Sequence, residues 1–145
     1  MQHLEHPSAE LWNERREWIE RLSFEQEQRA DFMLGEQASA LTADVQACFC
    51  AGAWCAVIVL AFSVIETNLR ETEIWSKSTP SIRVVAGEHE EVHALRLARN
   101  RLMHAQAEDP AITVDQQWDE RDRLEAEARG AVLAMIRSLY RYPWV

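Results

Sequence analysis

The chain has 145 residues, 48% of them hydrophobic and 27% charged, with only 4 Gly and 4 Pro, which is the size of one domain with a real core and the composition of a helical one. Its formal net charge of −9 excludes a protein that coats nucleic acid and confines any RNA contact to a local basic site, weakened by salt. The basic residues are fourteen Arg and a single Lys, Lys77, a bias that suits planar contacts to carboxylate and phosphate and that genomic base composition also produces.

Residues 1 to 10 carry no basic cluster and no apolar run, which predicts no secretory leader and a cytoplasmic protein. Ser8, after Pro7, is a predicted N-cap. Leu11, Trp12, Arg15, Trp18, Ile19 and Leu22 then recur at helical spacing. The pattern weakens from Phe24 to Gly35, where the first helix should end or kink.

Thr42 with Asp44 predicts the start of a second helix that runs to about Glu71. Residues 47 to 65 carry no charge, long enough to span a bilayer. The stretch is rich in Ala, Cys and Gly, however, and its flanks, Asp44, Glu66 and Glu71, hold no basic cluster. A buried central helix without a membrane role is the expectation. Its three cysteines, Cys48, Cys50 and Cys55, are poorly spaced for a clamp or a disulfide and read as small core residues in a reducing compartment.

Ser76 to Pro80 is a turn-rich break that Gly87 closes, and a third helix is predicted from Glu88 to about Ala107. After a loop carrying Ile112 and Val114, Asp115 is the expected cap of a last helix. That helix has an apolar face of Leu124, Ala128, Ala131, Val132, Met135, Ile136 and Leu139. Four main helices joined by short connections predict an all-α, up-and-down four-helix bundle with an extra N-terminal helical segment, as one domain over residues 1–145.

The third helix holds two chemical signals. His89-Glu90-Glu91-Val92-His93 is a formal HExxH, in which two His one turn apart hold zinc beside a glutamate base. Its setting is poor, because acidic residues at a helix start are explained by the helix dipole, and a metzincin's third His would fall on Arg99. No metal and no cofactor is the expectation, with a metal-dependent hydrolase the least favoured reading.

The second signal is Arg99-Asn100-Arg101-Leu102-Met103-His104. At 100° per residue, Val92, Leu95, Ala98, Leu102 and Met103 form an apolar face with Arg99 in its middle. A buried cation needs a partner, and Glu66 is the obvious one. Asn100 and His104 stack on a different face with His93 and Leu97, suited to a second subunit.

Arg-Asn-x-x-x-His late in the third helix of such a bundle resembles the RX4–6H signature of the HEPN superfamily, in which a polar residue follows the Arg. Residues 51 to 66, ending in Glu66, are similar to the HEPN second helix, and Leu124 to Tyr140 to its closing helix. The match covers about residues 42–140. The resemblance implies a metal-independent endoribonuclease in a toxin–antitoxin, phage-defence or RNA-processing setting, with RNA as substrate and a possible cognate antitoxin protein. It implies catalytic roles for Arg99 and His104, support from Asn100, and orientation of Arg99 by Glu66.

It also implies a homodimer that brings two motifs into one cleft. Attack by a ribose 2′-hydroxyl needs a base, an acid and a cation on the phosphate, so two His104 side chains would share the proton transfers. Arg96 and Arg101 would add phosphate contacts. Family toxins paired with nucleotidyltransferase antitoxins often carry Tyr two residues after the His, where this chain has Gln106. Other family members are catalytically silent dimerisation or nucleotide-binding modules, which is the alternative reading.

Overall fold

The computed structural model describes residues 5–27, 34–73 and 90–141. They form six helices and, among the described residues, no strand: α1 (Ala9–Glu27), α2 (Glu36–Ala51), α3 (Trp54–Glu73), α4 (Glu90–Met103), α5 (Val114–Asp119) and α6 (Arg121–Arg141). The all-α reading holds. Several boundaries differ from the sequence expectation, each for a physical reason. The predicted turn at Ser76 to Pro80 and its closing Gly87 lie outside the described residues, as do Glu88 and His89.

α1 starts as expected: Ser8 Oγ accepts the backbone N–H of Leu11 at 3.1 Å. The predicted second helix is two helices, α2 and α3. Gly52 ends α2 with φ at 80°, the left-handed region that glycine enters without a Cβ penalty. The N–H groups of Gly52 and Ala53 close back on the carbonyls of Phe49 and Cys48, at 3.1 and 2.9 Å, a Schellman ending. Two guanidiniums cover two further carbonyls: Arg15 donates to the Cys50 oxygen at 3.1 Å, and Arg121 donates to that of Gly52.

α2 also begins before Thr42. Its first turn is capped from α3, where the Glu71 carboxylate accepts from the N–H groups of Gln37 and Ala38 at 3.1 and 2.8 Å. A carboxylate there meets the positive end of the helix dipole. Thr42 instead donates its hydroxyl to the Ala38 carbonyl within α2. Asp115 lies inside the short α5, whose cap is Thr113, in a reciprocal box with Gln116. The last long helix starts only at Arg121.

α3 is the central helix and packs against α2, α4 and α6. Trp54, Val57, Ala61, Phe62, Val64 and Ile65 are buried along it. Phe49 stacks on Trp18 with centroids 5.1 Å apart and meets Trp54 edge-on at 5.4 Å, tying α1, α2 and α3 together. All seven residues of the expected α6 face are buried. Among the described residues no helix is long and apolar enough to cross a membrane. Cys50 is buried and Cys48 and Cys55 are half-buried, all three as free thiols.

α4 packs on α3 and α6 only through a narrow stripe. Val92 and Leu95 are buried, and Ala98 and Leu102 pack against the core. Met103, expected in that stripe, is 57% exposed. The helix ends at Met103 rather than near Ala107.

Candidate functional site

The Arg99 guanidinium lies over the Phe62 ring, 4.6 Å from its centroid, and reaches Glu66 Oε2 at 3.5 Å. Phe62 and Glu66 are one turn apart on α3, so a single stripe of that helix supplies both an aromatic platform and a counter-charge. The expected pairing of Arg99 with Glu66 is present. Glu66 Oε1 also accepts from Arg70 at 2.7 Å, so the carboxylate is shared between two cations. Arg99 and Glu66 are each 26% exposed, and the Arg99 Nε is buried without a hydrogen-bond partner.

Asn100 is half-buried and His104 is exposed. The His104 N–H still bonds the Asn100 carbonyl at 2.9 Å, so His104 keeps a helical position just beyond the end of α4. His93 and Arg96 are half-buried on α4, and the Arg96 Nε is also buried without a hydrogen-bond partner. Arg101 points elsewhere. It is exposed and lies 3.7 Å from Asp109 in the following loop, away from Glu66. Of the residues expected to share a site, Arg99 and Glu66 are in contact, while Arg101 is engaged with the loop.

Phe62 and Arg70 were not anticipated from the sequence. Both sit one helical turn from Glu66, and that spacing was the available signal. The arginine bias also gains a structural meaning. Arg15 and Arg121 lie over Trp54 at 4.7 and 5.7 Å, and Arg129 lies over Trp18 at 4.6 Å. These three, like Arg99, use the flat guanidinium against an aromatic face, a packing that Lys reproduces poorly.

Of the HExxH motif, His89 lies outside the described residues. Glu91, an intervening position of the motif, pairs with Arg137 of α6. No group of three His, Cys, Asp or Glu able to hold a metal occurs among the described residues.

Comparison with known protein families, with curated proteins and with solved structures finds no match to this chain. The site offers a cation held on a platform and, five residues later, just beyond the end of the same helix, an exposed imidazole. Arg99 is suited to an anionic group and His104 to moving a proton.

Proposed function

We propose that the protein is a metal-independent endoribonuclease of the HEPN type, working as a twofold dimer of all-α bundles. The observation that carries the reading is the placement of Arg99, fixed by Phe62 and Glu66, with His104 exposed just beyond the end of α4. In the reaction, the ribose 2′-oxygen attacks the adjacent phosphorus while one His104 takes its proton. The bond from phosphorus to the 5′-oxygen breaks, and the His104 of the second copy protonates the leaving oxygen. Arg99 holds the phosphate as charge builds on it. Asn100 supports that contact, Glu66 keeps Arg99 in place, and Arg96 adds a second cation. A cellular defence or RNA-processing role, with an antitoxin as partner, fits such an activity.

The second reading is a silent dimerisation or nucleotide-binding module. The net charge of −9 favours it, and so does the partial neutralisation of Arg99 by Glu66. Incubation with single-stranded RNA in chelator separates the two. Products ending in 2′,3′-cyclic phosphate and 5′-hydroxyl support the ribonuclease, and binding without cleavage supports the module.

A further inference from the structure

Arg15 of α1 and Arg121 at the start of α6 converge on the turn between α2 and α3. Both guanidiniums lie over Trp54, and both come within 3.4 Å of the point where a Cβ on Gly52 would stand. The two like charges are therefore at most about 7 Å apart and repel each other. Their compensation is thin. Arg15 is buried and meets Glu125 at 3.5 Å, but the other oxygen of that carboxylate is engaged by Arg129 at the same distance. Among the described residues Arg121 has no carboxylate within ion-pair range. It donates to the carbonyls of Gln117 and Gly52, which leaves part of its donor fork unused.

The same two arginines line a cavity of about 400 Å³ whose other walls are mainly apolar, among them Pro7, Leu11 and Ala53. Glu5, itself exposed, is the one carboxylate in that wall. We propose that this cavity binds a phosphate monoester whose organic part is compact and apolar. A doubly charged phosphate matches two cations, and its oxygens accept the N–H donors that the protein leaves unused. The cavity has the size of a small-molecule site and is larger than a bare phosphate needs. Its apolar wall takes the body of the ligand, which covers Leu11, a large side chain that stands 37% exposed. Trp54 opens α3, and Glu66 stands about 18 Å further along that helix, so this cavity is separate from the Arg99 site. Binding here stands whether or not the protein cuts RNA.

Titration of the wild-type protein with phenyl phosphate, followed by amide chemical shifts, tests the site directly. The largest shifts should fall on Gly52, Ala53 and Gln117 rather than on Asn100 and His104. Inorganic phosphate should move the same amides but bind more weakly, and phenol should leave them unmoved. Arg121→Gln, checked for folding by its melting curve, should weaken phenyl phosphate binding about tenfold or more, the loss of a charge-assisted contact. Should that variant fail to fold, the wild-type map still decides. The site is overturned if millimolar phenyl phosphate leaves Gly52, Ala53 and Gln117 unmoved, or if the shifts are confined to the surroundings of Arg99. Full affinity in folded Arg121→Gln overturns it equally. Inorganic phosphate binding as tightly as phenyl phosphate overturns the apolar part of the ligand.

Discussion

Arg99 rests on the face of Phe62, its guanidinium carbon 4.6 Å from the ring centroid, and so the cation of the site is positioned by the core of α3. Phe62 is itself buried beside Ala61 and Ile65. The platform belongs to the packed core, and the ring face orients the guanidinium that lies on it. Two kinds of loss follow from changing it.

Arg99→Ala should abolish cleavage but cost only on the order of 1 kcal/mol of stability, the sum of a half-exposed stack and ion pair. The cost stays small because Arg70 still neutralises Glu66. Arg99→Lys should keep the charge and still lose most activity, since an ammonium does not lie flat on the ring. Urea unfolding alongside RNA cleavage checks both. A loss of several kcal/mol would mean that Glu66 depends on Arg99 alone.

The two glycines of the bundle that meet opposite surroundings should respond with opposite signs. Gly52→Ala forces a Cβ into left-handed backbone at φ 80° and should destabilise by about 1–2 kcal/mol. Gly130 is helical, and a Cβ there meets nothing within 4 Å. Gly130→Ala should stabilise by about 1 kcal/mol through helix propensity. Melting curves should separate the two variants by several degrees, at roughly 2–4 °C per kcal/mol for a chain of this size.

The contrast between these glycines also explains what was legible in the sequence. The α6 face could be read because its packing repeats along one helix. The pairing of Arg99 with Glu66 could be read because a cation in an apolar stripe demands a counter-charge. The break at Gly52 could not. Its stabilisers are Arg15 and Arg121, which lie 35 residues before Cys50 and 69 residues after Gly52. The start of α2 was hidden for the same reason, since its cap, Glu71, comes from α3. Met103 was misplaced because periodicity gives the direction of a side chain and not whether a neighbour reaches it.

Glu71→Ala should destabilise by about 1 kcal/mol, the usual worth of a helix cap. Gly35→Ala should be worse, because its Cβ would collide with the Glu71 carboxyl group and push that cap away. Amide hydrogen exchange should show the first turn of α2 losing protection in both variants. Unchanged protection at Gln37 and Ala38 would show that the cap contributes little.

The three thiols give the fold an alkaline limit. Burial pushes the Cys48, Cys50 and Cys55 thiols above their ordinary range; nearby charges act less, Asp44 in the same direction at Cys48 and charges of both signs at Cys50 and Cys55. Unfolded cysteine ionises near about pH 8.5, so above that pH the unfolded chain has lost protons that the folded chain keeps. Stability from this source is then lost as pH rises, and nothing changes at pH 7. Urea midpoints at pH 7 and pH 10 should fall further apart for the wild type than for a chain with all three cysteines replaced by alanine. An equal fall in both would assign the alkaline loss to other groups.

The central claim is that His104 moves protons in a metal-free cleavage of RNA, and the rate of that cleavage by wild type and His104→Ala in the presence of chelator tests it most directly. His104 is exposed at the end of α4, so the variant should melt like the wild type. The account predicts cyclic-phosphate products from the wild type and a loss of about 10²–10⁴-fold in the variant, with His93→Ala retaining most of the activity. Cleavage that survives His104→Ala, or that requires added metal, would contradict it.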